Sequence, residues 1–99
     1  MKRIVLLCAA GMSTSLLMNK MRDAAKAEGF ECTIEAYPTT NASSVGKDAD
    51  VILLGPQVRL ELNKVKNQVS CPVDAIDMVA YGTMNGKKVL EQAKKLLGV

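Results

Sequence analysis

The stretch Ile4-Val5-Leu6-Leu7-Cys8-Ala9-Ala10-Gly11-Met12-Ser13-Thr14-Ser15 decides the fold. Four consecutive apolar residues are too few for a helix face but suit a strand buried on both sides. Small and hydroxyl residues follow. Then Leu17, Met21, Ala24 and Ala25 recur at helical spacing up to Gly29, which stands where a C′ residue would end the helix. The same events repeat at Val51-Ile52-Leu53-Leu54-Gly55-Pro56: an unbroken apolar run, a turn, and a stripe of Val58, Leu62, Val65 and Val69. Pro56 suits the first turn of that second helix, where its missing N–H costs nothing.

Outward from these runs, residues 33–37 alternate, with Ile34 and Ala36 set against Thr33, Glu35 and Tyr37, and read as a strand. Residues 39–47 are polar and predict a loop holding a short helix. Residues 73–76 form a fourth, short strand, and residues 77–86 a loop with turn chemistry in Asn85-Gly86. Val89, Leu90, Ala93, Leu96 and Leu97 mark a last amphipathic helix. Strands separated by helices imply right-handed crossovers and a parallel sheet. The runs at 4–7 and 51–54 belong at its centre, and the strands carrying polar residues at its edges. The expected fold is α/β: a three-layer, open four-stranded parallel sheet of order 2-1-3-4 with helices on both faces. Its ligand crevice lies at the carboxyl ends of strands 1 and 3, where the direction of winding reverses.

At 99 residues, 48% of them hydrophobic and 23% charged, the chain has material for one domain and too little length for two. A single domain over residues 1–99 is expected. The absence of His excludes a Ser-His-Asp triad, a phosphohistidine on this chain and a His metal site. Trp is absent and aromatics are 3%, so there is no base-stacking platform. Lys and Arg are mixed with Asp and Glu along the chain, and nucleic acid is not an expected partner. The apolar run after Met1-Lys2-Arg3 is too short for a secretory signal, and none approaches the ~20 residues of a membrane span. The expectation is a cytoplasmic protein with reduced thiols and no direct membrane insertion. Three Cys without a CxxC pair fit neither a disulfide framework nor a structural zinc site, so no metal is expected.

Cys8 directly follows the first central strand, so topology alone puts a thiol at the crevice. Successive backbone N–H groups in the loop after it can converge on an anion at the start of a helix. Ser13, Thr14 and Ser15 add hydroxyl donors. The same field favours a thiolate, which is the nucleophilic form. A plainer reading stays open: Cys8 as a small hydrophobe at a strand end, and the hydroxyls as helix caps. Cys32 starts strand 2 and Cys71 precedes strand 4. Both belong at the opposite edge of a parallel sheet, roughly 15 Å from Cys8, and read as structural. There is no Walker pattern and no Lys in the loop, which argues against ATP. The tyrosine phosphatase loop has Cys, five residues, Arg, then Ser or Thr. Here the sixth position after Cys8 is Thr14, followed by Ser15, so the loop length is kept and the guanidinium is missing. Asp77 more simply caps the turn after it than serves as a general acid. A loop that holds a phosphoryl group without the parts to hydrolyse it suits a carrier.

Residues 4–17, with the loop Cys8-Ala9-Ala10-Gly11-Met12-Ser13-Thr14-Ser15, resemble the enzyme IIB component of the bacterial phosphoenolpyruvate-dependent sugar phosphotransferase system, lactose/cellobiose (chitobiose) class. The likeness continues through Ile34-Glu35-Ala36-Tyr37-Pro38, Asp50-Val51-Ile52-Leu53-Leu54-Gly55-Pro56-Gln57, and Ile76-Asp77 to Tyr81-Gly82, and spans essentially the whole chain. It implies a fold resembling the low-molecular-weight tyrosine phosphatase topology and a phosphotransferase without a cofactor. In that family's scheme a phosphohistidine on the IIA component phosphorylates Cys8. The phosphocysteine then serves a disaccharide of the cellobiose, chitobiose or lactose type, held by the membrane component IIC. Ala9, Ala10, Gly11, Met12, Ser13, Thr14 and Ser15 would form the P-loop-like phosphate-binding loop.

Three residues are candidates for a docking surface. Met12 lies near the loop apex, and an exposed Met would adapt to two partners. Tyr81 follows strand 4 at the same edge and either borders that surface or packs on the domain. Gln57 is the nearest neighbour across the crevice and either donates to a phosphate oxygen or caps its helix. The alternative function, resting on the Cys-x5 loop length, is a relative of the low-molecular-weight phosphatases or arsenate reductases. A non-catalytic interaction domain of the same fold is a third.

Overall fold

The two unbroken apolar runs lie side by side. The structure, a computed structural model, describes residues 1–9 and 14–99. Its elements are β1 (Lys2–Cys8), α1 (Thr14–Glu28), β2 (Cys32–Pro38), a 3₁₀ turn (Thr39–Asn41), α2 (Ala42–Val45), β3 (Val51–Leu54), a 3₁₀ segment (Pro56–Glu61), α3 (Leu62–Gln68), β4 (Val73–Ala75), α4 (Met78–Gly82) and α5 (Gly86–Leu97). The sheet has the order β2-β1-β3-β4 and every pair is parallel, as the sequence predicts.

Ile4 pairs with Val51 and Leu7 with Leu54, and both runs are 0% exposed along their whole length. Alternation divides them between two cores. Ile4, Leu6, Val51 and Leu53 pack with Leu17 and Met21 of α1 and Val89 and Leu90 of α5. Val5, Leu7, Ile52 and Leu54 pack with Val45 of α2 and Val65 of α3. Each such side chain contributes roughly 1.5–3 kcal/mol on burial, and a strand covered on both faces gains this at every position.

α1 ends at Glu28, and Gly29 takes the left-handed conformation that its predicted place requires (φ +68°). The Val58–Val69 stripe is not one helix. A 3₁₀ segment opening on Pro56 runs to Glu61, with a kink at Val58, before α3 begins. Residues 77–86 are more ordered than the expected loop. Asp77 caps α4, its Oδ2 accepting from the Ala80 N–H at 2.9 Å. Asn85 likewise caps α5, accepting from the Lys88 N–H at 3.1 Å, so Asn85-Gly86 starts a helix where a free turn is expected. Gly86 is needed for close approach. A Cβ there would stand 2.4 Å from the Lys20 carbonyl carbon and 2.5 Å from the Met21 nitrogen, both backbone atoms of α1.

The edge strand β4 is closed by a side chain. Gln92 Nε2 donates to the Ala75 carbonyl at 2.7 Å, and the Asp77 N–H donates to Gln92 Oε1 at 3.1 Å. One carboxamide thus occupies the donor and acceptor that a fifth strand would take. At the amino-terminal edge, Cys32 pairs with Lys2, whereas Cys8 pairs with Pro38 at the other end of the same ladder. Cys32 and Cys71 are half-buried, and burial pushes both thiols upward in pKa.

Two outcomes follow. Gly86→Ala forces α5 away from the α1 backbone and should lower unfolding free energy by about 2 kcal/mol in urea titration; an unchanged midpoint would contradict the close approach. Raised thiol pKa values mean that the unfolded chain ionises first. The stabilisation is therefore complete below the ordinary thiol value of about 8.5 and is lost as pH rises from there through the raised values of the folded chain. The urea midpoint should fall between about pH 8 and pH 10, and fall less in the Cys32→Ser, Cys71→Ser double variant.

Candidate functional site at the carboxyl edge of the sheet

The site is assembled where β1, β3 and β4 end and the helical segments after them begin. β1 ends in Cys8, which is 1% exposed. Thr14, the first residue of α1, is fully buried, and its Oγ1 lies 3.4 Å from Cys8 Sγ. The sulfur therefore faces the start of a 15-residue helix, and the first turn of that helix holds no acidic residue to oppose an anion. Ala9 and Ser15 are exposed. Ala10, Gly11, Met12 and Ser13, predicted to complete the phosphate loop, lie outside the described residues.

β3 supplies the other side of the crevice. The Gly55 N–H donates to the Leu7 carbonyl at 2.8 Å, extending the β1–β3 ladder by one residue. Gly55 is buried against Cys8: a Cβ on it would stand 3.6 Å from Cys8 Cβ and 3.0 Å from Gln57 Oε1. A side chain here would fill the space between the thiol and the glutamine. Pro56 then turns the chain into the 3₁₀ segment, on whose outer surface Gln57 is exposed.

β4 leads to the third wall. Ile76 N–H donates to the Leu54 carbonyl at 2.8 Å, and the Asp77 cap sets α4 directly after it. Tyr81 of α4 buries its ring in the core beneath α1 and α5. Its hydroxyl accepts from Gln57 Nε2 at 3.3 Å. Arg59 reaches Met78 Sδ at 3.1 Å and ties the 3₁₀ segment to α4 a second time.

The structure thus brings Cys8, Thr14, Gln57 and the Tyr81 hydroxyl to one edge. The Gln57 carboxamide is bonded across to the neighbouring element, at Tyr81. Sequence reasoning missed two features. Gly55 as a spacer beside Cys8 is visible only in three dimensions. The Gln57–Tyr81 bond joins residues 24 apart through a helix, α4, whose one sequence signal is Asp77 three residues before Ala80. Among the described residues, no group of three or more Cys, Asp or Glu side chains is placed to hold a metal ion, and no helix is long and apolar enough to cross a membrane.

Known proteins resemble this chain over nearly its whole length. The family described as "PTS system, Lactose/Cellobiose specific IIB subunit" matches residues 3–92. The chain is 44% identical to the oligo-beta-mannoside-specific EIIB component of Bacillus subtilis, over 98% of this chain and 97% of that one. It is 43% identical to the galactose-specific EIIB component of Lactococcus lactis, over 97% and 96%. The solution structure of the cellobiose-specific phosphotransferase IIB component from Borrelia burgdorferi is 40% identical and superposes with a TM-score of 0.81, over 98% and 92%. The fold alone is shared with a YwlE mutant from Bacillus subtilis (TM-score 0.59, 14% identity, the whole of each chain), in keeping with the low-molecular-weight phosphatase topology expected from the sequence. By its matched length and its identity to these relatives, the chain belongs to the lactose/cellobiose-specific IIB subunits of the sugar phosphotransferase system.

Proposed function

We propose that the chain is a cytoplasmic, single-domain phosphoryl carrier in which Cys8 alternates between thiolate and phosphocysteine. The observation that carries this reading is the placement of Cys8 Sγ at the end of the central strand, 3.4 Å from a buried hydroxyl at the start of α1. In the first step the sulfur attacks the phosphorus of a phosphohistidine on IIA. The S–P bond forms, the P–N bond breaks, and the imidazole leaves and takes up a proton. In the second, a sugar hydroxyl held by the membrane component IIC attacks the same phosphorus. The S–P bond breaks, the thiolate is restored, and the hydroxyl proton passes to a base on the partner. Such in-line transfers need positioning and charge stabilisation more than covalent machinery. The loop Ala9 to Ser15 supplies the donors in this scheme, and neither a nucleotide nor a metal is required.

The alternative, a hydrolase of the phosphatase class, is weakened by Thr14. It stands where that loop carries its Arg, and its neutral hydroxyl faces the sulfur. The relatives are named for a mannoside, galactose and cellobiose, three sugars on one scaffold. Sugar choice in this reading rests with IIC, and the substrate class is a disaccharide of the cellobiose, chitobiose or lactose type.

Two experiments test the proposal. After incubation with phosphoenolpyruvate, the general phosphotransferase proteins and a matching IIA, intact-mass analysis should find one added phosphoryl group, absent from Cys8→Ser. No adduct, or the same adduct in the variant, would refute it. Thr14→Val removes the hydroxyl facing the sulfur, and the rate of phosphoryl uptake should drop about tenfold, the worth of about 1.4 kcal/mol; an unchanged rate would remove Thr14 from the machinery.

A further inference from the structure

We infer that Asp74 and Gln92 stand in for a fifth strand and keep the chain from pairing with a second copy of itself along β4. The inference does not depend on the carrier reading, since it makes no use of Cys8 or its loop.

Backbone direction comes first. The Ile52 N–H donates to the Pro72 carbonyl at 3.0 Å, and the Ile76 N–H to the Leu54 carbonyl at 2.8 Å. Main-chain groups alternate along a strand, so residues 72, 74 and 76 turn theirs to β3, while Val73, Ala75 and Asp77 turn theirs outward. An outward row of N–H and C=O groups is a template for another strand.

Side chains occupy that row. The Ala75 N–H donates to Asp74 Oδ1 at 2.8 Å. The Ala75 carbonyl accepts from Gln92 Nε2 at 2.7 Å, and the Asp77 N–H donates to Gln92 Oε1 at 3.1 Å. Gln92 Nε2 also donates to Asp74 Oδ2 at 3.3 Å. Both ends of the carboxamide are engaged, and the pattern fixes which end points where. The groups from the Ala75 N–H to the Asp77 N–H are thus taken by two side chains that are bonded to each other.

The device recurs at the other edge of the sheet. The Lys2 N–H donates to the Glu31 carbonyl, which sets Ile34 of β2 facing outward, and the Ile34 carbonyl accepts from Arg22 Nη2 of α1. At each edge a helix lends one long side chain to an outward carbonyl. A second copy is the occupant that the β4 edge fits. An open groove of about 360 Å³ borders it, lined by Asp77, Lys88, Glu91, Gln92 and Lys95 among others. Acids and bases are mixed in that groove, so a two-fold pairing of β4 with β4 would set the acids of each copy against the bases of the other.

The test uses the full chain in two variants. Gln92→Leu removes the carboxamide, and Asp74→Thr combined with Gln92→Leu removes both side chains from the edge. The Ile76 N–H faces β3 and should stay protected from hydrogen exchange in each, which shows that β4 is still in place. In dilute Gln92→Leu the Asp77 N–H should exchange about tenfold faster than in the wild type, having lost its partner. In concentrated solution the double variant should sediment at twice the monomer mass and the wild type at the monomer mass. The Ala75 and Asp77 amides should slow again as that dimer forms. Gln92→Leu alone should dimerise more weakly, and it decides the matter if the double variant does not fold. Folded variants that stay monomeric, a dimer that leaves the Asp77 amide fast, or a wild-type chain that already pairs along β4 would each overturn the inference.

Discussion

The parallel pairing of β1 with β3 is the constraint on which the molecule depends. Eight side chains, four from each strand, are withdrawn completely from water, and they are divided between two cores by the pleat alone. A one-residue slip in either strand would exchange the two sets and ruin both cores at once. The register is therefore strongly determined, and with it the height at which each strand ends. Cys8 and Gly55 arrive side by side because Leu7 and Leu54 are paired beneath them. The placement of the thiol is a by-product of packing along the two strands beneath it.

The outer parts of the sheet are held by other means. β2 offers one buried residue, Ile34, in the middle of seven, and its fastening is partly ionic, through Arg3 and Glu35 at 2.9 Å. β4 has three residues and is completed by the Gln92 carboxamide. The far ends of α1 and α5 are joined by Lys94, which pairs with Glu28 at 2.9 Å and lies over the Phe30 ring at 5.1 Å. Surface pairs of this kind contribute little individually. Their service is to hold the helices against a sheet whose centre already carries the stability.

Much of this was legible in the chain. Unbroken apolar runs mark strands covered on both faces, and two such runs among four strands leave few orders to choose from. Cys8 followed from that order before any resemblance was considered, as did the seclusion of Cys32 and Cys71 at the other edge. What escaped the reading depends on distance in sequence or on brevity. α4 has five residues, with Met78 and Val79 in water and Ala80 and Tyr81 in the core, too short for a helical period to declare itself. Gly86 looked like a turn residue because its true neighbour, the α1 backbone, lies more than sixty positions earlier. The bond from Gln57 to Tyr81 was not legible in the sequence, since it needs the fold of the intervening strand and helix.

On the proposed carrier role, the chemistry at Thr14 follows from what a relay must do twice. An arginine at that position would give a phosphate two parallel charge-assisted bonds, each about twice as strong as a neutral one. That strength favours capture and opposes release. A carrier gains by neither extreme, since the group it accepts from one partner must leave to the next. In the proposed carrier role, a neutral hydroxyl near the sulfur, helped by the unopposed end of α1, would bind thiolate and phosphoryl oxygen by similar, moderate interactions. The two states would then lie close in free energy, and the direction of transfer would be left to the partners at either end.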